Sequence, residues 1–259
     1  MSVLHNLLSM YNSTARDNIN HIAIKRILEN LEMIKHATIF ELAEITSTSR
    51  TTIWRLIQKL GYGTYSEFKY DLVNSLDKYS YYNRVLPQEC CESEDDVVSS
   101  YISMSRTVIE DIEKSVKISE ISKAAEAAHQ ANRICFYTNG RYYSEVSFQL
   151  NLAIDGKKTD IFTNYTDHLN DIKNLNQTCM VFIATVDFPD NIDLEPLFKA
   201  IQEKGATVFL FGLPNSRYRK YAHFFAPYAK TGTMVGAYTM LMYLDLINVF
   251  YRQKYIDKM

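Results

Sequence analysis

The sequence predicts an all-α domain built on a helix–turn–helix, followed by an α/β domain whose parallel sheet is covered by helices on both faces. Three observations carry that expectation. The first 78 or so residues have a helical rhythm, with hardly a strand-like run. Beyond about residue 118, short continuous apolar runs alternate with helical patterns. Between the two lies a stretch broken by a proline and an acidic cluster, KYSYYNRVLPQECCESEDDVVSS (78–100). The boundaries this gives are 1–78 for the helical domain, 79–115 for a linker and connecting helix, and 116–259 for the α/β domain. With 259 residues, 47% of them hydrophobic and 22% charged, the chain has ordinary globular composition and enough length for such a pair.

In the helical domain, Ile22, Ile24, Ile27, Leu28 and Leu31 recur at three- and four-residue steps, as in an amphipathic helix. Thr38-Ile39-Phe40-Glu41 has the form of a capping box, in which the threonine hydroxyl accepts a first-turn amide and the glutamate reaches back. It opens a short helix, FELAEI, that ends near Thr46. Ser47, Thr48 and Ser49 follow, and Ser49 is placed to N-cap a second helix that runs to Leu60 and stops at Gly61.

That second helix has a distinctive outer face. At about 100° per residue, Leu56, Ile57 and Leu60 fall within about 60° of Ile53 and form its buried stripe. Thr51, Arg55 and Gln58 point away, with Thr52 and Lys59 less centrally so, and Arg50 stands at the helix start. The outward side holds hydrogen-bonding and positive groups and no acid. These are the side chains that reach base edges or phosphates in a major groove, and a helix N-terminus favours a phosphate. The competing reading is an ordinary solvated helix face. Trp54, on the flank of the wheel, reads as a packing residue. The net charge of −2 gives no basic coat, so any nucleic-acid contact rests on a local patch.

A helix over roughly 94–115 leads into the α/β domain. ICFYT (134–138), CMVFIA (179–184) and TVFLFG (207–212) are continuous apolar runs, with HFFAPY (223–228) a weaker fourth. Continuous rather than alternating hydrophobicity means burial on both faces, as in a parallel sheet. Ligands bind such sheets at the carboxyl ends of strands, which directs attention to loops 138–144, 184–191 and 212–217. The C-terminal stretch, Met234–Tyr255, reads as a core helix or as one that also contributes to a subunit contact.

Other classes are disfavoured. The N-terminus lacks a basic leader and a small-residue cleavage site, so no signal peptide is read. The longest apolar stretch, Thr233–Tyr251, is interrupted by Asp245 and Asn248, which argues against a membrane span. Cys90, Cys91, Cys135 and Cys179 form no C-x-x-C pair and suit a reduced compartment, so a cytoplasmic location is expected. His168, His223 and Glu145 are available as bases, yet none lies in a catalytic motif. No enzymatic activity, metal or cofactor is expected.

The segment ATIFELAEITSTSRTTIWRLIQKLGYGTYSEFKYDL (37–72) resembles the helix-turn-helix of RpiR-type bacterial transcriptional regulators. Their pattern, "elA…vS.atv.Rf.rklGf.gf.efk..l", is met by Glu41, Leu42, Ala43, Ser49, Thr52, Arg55, Lys59, Leu60, Gly61, Tyr62, Tyr65, Phe68, Lys69 and Leu72. Thr46-Ser47-Thr48 departs from it, lacking the glycine often found in the turn. The resemblance implies a sequence-specific transcriptional regulator of carbohydrate-metabolism genes that binds double-stranded DNA. On that basis Ser49, Arg50, Thr51, Thr52, Arg55, Lys59 and Lys69 are the expected DNA contacts. A homodimer or dimer of dimers on an inverted-repeat operator is expected with them.

The same resemblance implies a sugar-isomerase-type (SIS) second domain of about five strands that senses a phosphosugar through two loops. Here the first loop reads Thr138-Asn139-Gly140-Arg141-Tyr142-Tyr143-Ser144, and the second Thr185-Val186-Asp187-Phe188-Pro189-Asp190. Asp187 stands where the family has a serine, and Phe188 where it has a glycine. Carboxylates near a phosphate dianion repel it. The candidate effector residues are Asn139, Gly140, Arg141, Ser144, Thr185, Asp187 and Lys230, with an Arg141–Asp187 ion pair expected at the pocket mouth. Three readings stay open: a decayed pocket, an altered ligand, or a retained phosphosugar. Alternative functions for the whole chain are a phosphosugar isomerase with an attached helical domain, or a protein-interaction module.

Overall fold

The computed structural model describes residues 3–82, 85–86, 93–138, 143–163, 165–185, 188, 193–227 and 238–257. The chain divides into two compact units, Met1–Tyr82 and Asn83–Met259.

The first unit is helical: α1 (Val3–Ser13), α2 (Ile19–Glu29), α3 (Leu31–Ile34), α4 (Ile39–Ile45), α5 (Arg50–Lys59) and α6 (Tyr65–Tyr82). Its core gathers Leu7, Ile24, Ile27, Ile34, Leu42, Ile53, Leu56, Ile57, Phe68 and Leu72. On α2 the buried face is Ala23, Ile24 and Ile27, and Ile22 stays 44% exposed. Ile22 lies about 200° round the helix from Ile24 and cannot share its face. A second capping box opens α6: the Glu67 N–H donates to the Thr64 hydroxyl (3.1 Å), and Thr64 N–H donates to the Glu67 carboxylate (3.1 Å).

The second unit begins with α7 (Glu94–Ser115), capped by Ser93, and α8 (Ile118–Gln130). Then β1 (Arg133–Tyr137), α9 (Tyr143–Ile154), β2 (Lys158–Phe162), α10 (Tyr165–Asp171), β3 (Cys179–Ala184), α11 (Glu195–Glu203), β4 (Thr207–Gly212), β5 (Phe224–Pro227) and α12 (Tyr238–Tyr255) complete the described elements. The strands pair in the order β2-β1-β3-β4-β5 and are parallel throughout. The chain leaves β1 for β2 on one side and returns to β3 on the other, so the strand order reverses at β1, where open α/β sheets place their ligands.

The three continuous runs are buried on both faces, as their composition requires. One face packs Phe136, Phe182 and Phe209 against Phe148, Tyr243 and Tyr251. The other packs Tyr137, Ile183 and Leu210 against Leu197, Phe198 and Tyr218. Parallel register sets Phe136, Phe182, Phe209 and Phe224 side by side, with ring centroids 5.2, 5.3 and 6.0 Å apart along a row across four strands. On α12, Asn248 is buried and satisfied: its side chain accepts from Asn151 (2.7 Å) and donates to Ser147 (3.2 Å) on α9. No helix among the described residues is long and apolar enough to cross a membrane.

Candidate nucleic-acid interface and effector loops

The α4–turn–α5 segment is held by local bonds at each junction. At the start of α4, Thr38 N–H donates to Glu41 (2.7 Å) and Glu41 N–H donates to the Thr38 hydroxyl (3.3 Å), which is the expected capping box. Those bonds hold the Glu41 carboxyl below the usual carboxylate range. At its end, Ser47 N–H donates to Glu44 O (2.9 Å) and Thr48 N–H to Ala43 O (2.9 Å), a Schellman closure. Such a closure needs a left-handed residue, and Ser47 supplies it with φ 53°. The buried Thr46 hydroxyl donates to Leu42 O (2.8 Å) and meets the Thr48 hydroxyl at 2.9 Å.

Ser49 then caps α5, its hydroxyl accepting the Thr52 N–H at 3.1 Å. A second Schellman closure ends α5 through Gly61 (φ 92°) and Tyr62. Both the N-cap and the glycine stop lie where the sequence places them.

Ile53, Leu56 and Ile57 are buried, while Arg50, Thr51, Arg55, Gln58 and Lys59 are exposed. Thr52 is half-buried and its hydroxyl lies 3.0 Å from that of Ser49. The first turn of α5 has no acidic residue and its last turn carries Lys59. Of the neighbouring acids, Glu41 and Glu67 turn back onto backbone amides at the starts of α4 and α6. The Arg50 guanidinium lies over the ring of Phe40, 4.4 Å from its centroid. Lys69 stands apart from this face: its ammonium donates to Ala37 O (2.9 Å), which also accepts from the Tyr65 hydroxyl (2.7 Å). That bond uses one of three ammonium protons. Phe40, a residue 57% exposed, lies in no pattern of the sequence that would mark it.

In the second unit, the two candidate effector loops follow adjacent parallel strands, β1 and β3, in the sequence. Asn139, Gly140, Arg141, Asp187 and Lys230 lie outside the described residues, and with them the Arg141–Asp187 pair. Ser144 and Glu145 are buried in the first turn of α9. The Thr185 hydroxyl donates to Phe211 O (3.3 Å). Phe188 is buried, its ring edge-on to His168 (5.6 Å) and Tyr165 (6.3 Å). Thr138, Glu145, Ala184, Phe211 and Met240 line one small cleft at the strand ends.

Neither histidine weighed as a base is free in the fold. His168 is fully buried, donates from Nε2 to Phe162 O (2.9 Å) and stacks on Tyr137 (4.7 Å). Burial pushes its pKa down to about 4. His223 is exposed, because it precedes the edge strand β5; its Nδ1 accepts the Val208 N–H at 3.1 Å. Among the described residues no cluster of His, Cys, Asp and Glu is arranged to hold a metal.

A capped short helix, a tight left-handed turn and an acid-free second helix define the first unit as a helix-turn-helix of the DNA-binding kind. Residues 1–79 match the helix-turn-helix domain of the rpiR family, and the N-terminal unit is a domain of that family. Over 66 residues the chain is 42% identical to the HTH-type transcriptional regulator GlvR of Bacillus subtilis, a match that spans 26% of each protein. It is 27% identical over 201 residues to TTE0211, an uncharacterized HTH-type transcriptional regulator of Caldanaerobacter subterraneus subsp. tengcongensis, covering 68% of this chain and 70% of that one. The fold is similar to the Vibrio vulnificus NanR protein, solved in complex with ManNAc-6P. The TM-score is 0.50 at 18% identity, over 98% of this chain and 92% of that one.

Proposed function

We propose that the protein is a sequence-specific DNA-binding transcriptional regulator of carbohydrate-metabolism genes. The observation that carries this reading is the exposed, acid-free face of α5 on a turn fixed by capping bonds at both ends. Arg50, Thr51, Thr52 and Arg55 face bases or phosphates, while Ser49, Lys59 and Lys69 serve the DNA backbone. The regulator works in the cytoplasm as a homodimer or dimer of dimers on an inverted repeat, and it turns over no substrate.

The second unit takes a phosphorylated sugar or a related small effector, or retains only an assembly role. Ser144 and Thr185 belong to that site, together with Asn139, Gly140, Arg141, Asp187 and Lys230. The sugar-phosphate ligand of NanR supports this class of effector. The burial of Phe188 also supports it, because the ring packs in the core against His168 and Tyr165.

The test is Arg55→Ala in the full chain, titrated against the duplex that the wild-type protein enriches from genomic fragments. Arg55 is exposed and outside the core, so the variant should unfold at the wild-type temperature. Loss of one good base or phosphate contact should weaken binding about 5- to 100-fold. Unchanged affinity would remove Arg55 from the interface.

A further inference from the structure

We infer that Phe40 is a positioning residue for base readout: its ring fixes the plane of the Arg50 guanidinium at the leading end of α5. This deepens the DNA-binding reading of the α5 face and rests on it.

Phe40 belongs to α4 and Arg50 is the first residue of α5, so the contact joins the two helices across the turn. Phe40 is 57% exposed on a seven-residue helix, which leaves its ring face open to the guanidinium. Its neighbours Leu42 and Ala43 are buried, so the helix has its packing face elsewhere. The guanidinium carbon sits 4.4 Å from the ring centroid, within the range of a cation–π contact.

The chemistry of that contact differs from the alternatives open to an arginine. An ion pair would orient Arg50 by consuming N–H donors. Stacking on a ring face consumes none, because the five N–H groups lie in the guanidinium plane. Among the described residues, Arg50 takes part in no ion pair. Held over the ring, the guanidinium keeps its donor fork free of an ion pair, which is what bidentate recognition of guanine O6 and N7 requires. Ordering before binding also lowers the side-chain entropy lost in the complex.

The experiment selects duplexes from a randomised library with the full-length protein and with Arg50→Ala, Phe40→Leu, Phe40→Tyr and the Phe40→Leu/Arg50→Ala double variant. Leucine keeps the apolar bulk and removes the ring, while tyrosine keeps the ring. Thermal unfolding of each variant reports folding separately. Arg50→Ala should flatten the preference at particular base positions. Phe40→Leu should weaken the preference at those same positions about two- to fivefold and leave the others alone. Phe40→Tyr should restore it, and the double variant should match Arg50→Ala.

An undiminished preference in Phe40→Leu, a loss at positions Arg50→Ala leaves intact, or additive effects in the double variant would overturn the positioning role. So would an Arg50→Ala profile identical to wild type. A wild-type protein that enriches no sequence would overturn the DNA-binding reading itself, and this inference with it.

Discussion

Ser47 adopts φ 53° in the turn between α4 and α5, a conformation that costs a residue with a Cβ about 1–2 kcal/mol. The cost is met because the two Schellman bonds require a left-handed residue there and Thr46 locks the preceding corner. Glycine would relieve the strain but adds freedom to the unfolded chain, worth about 0.5–1 kcal/mol. Ser47→Gly should therefore raise stability by about 0–1.5 kcal/mol. Ser47→Val should destabilise by more than about 1 kcal/mol in denaturant unfolding. Equal stability of the valine variant would contradict the turn geometry. His168 supplies a second residue-level test. Its folded pKa of about 4 lies below the unfolded value of about 6.5. The unfolded chain binds more protons between those values, so the contribution of His168 is complete above pH 6.5. It is lost as pH falls toward 4, at up to about 1.4 kcal/mol per pH unit. His168→Gln should flatten the pH dependence of unfolding in that window; an identical slope would refute the assignment. Thr38, Ser49 and Gly61 were legible in the sequence because capping bonds are local, spanning five residues or fewer. Phe40 over Arg50 was not, because the contact joins two helices and its strength depends on a ring orientation that no spacing encodes.

Helix α5 carries two demands at its first turn. The Ser49 hydroxyl accepts Thr52 N–H and so stabilises the helix, while its position at the helix start places it beside DNA phosphate in the proposed complex. A carboxylate separates the two roles, since aspartate caps as well as serine but repels phosphate. Ser49→Ala should cost about 1 kcal/mol of stability. Ser49→Asp should hold wild-type stability yet bind the enriched duplex more weakly than Ser49→Ala does. Equal binding by the two variants would place Ser49 away from the DNA. In the second unit, β1, β3 and β4 were legible because burial on both faces makes each an unbroken apolar run. The five residues of β2, KTDIF, were not singled out. This strand lies at the sheet edge, half-buried, with Lys158 exposed and Asp160 paired to Arg133 (2.7 Å), so no continuous or alternating pattern marks it. The short α3 escaped notice for a related reason: four residues are too few to show a period.

At the scale of the whole molecule, the chain joins an rpiR-family helix-turn-helix unit to a five-stranded parallel α/β unit. That pairing was legible from the change of rhythm near residue 118. The candidate effector site was less so, because its loops depart from the pattern of the resembled family at Asp187 and Phe188. The burial of Phe188 depends on the packing of His168 and Tyr165, which are distant from any motif. In the proposed function, α5 reads sequence rather than charge alone. The most direct measurement is a competition titration of the full-length protein, at about 0.15 M salt, between its enriched duplex and a scrambled duplex of the same composition. A regulator should favour the enriched duplex by about 10³-fold or more. Affinities within a few-fold of one another would contradict the account.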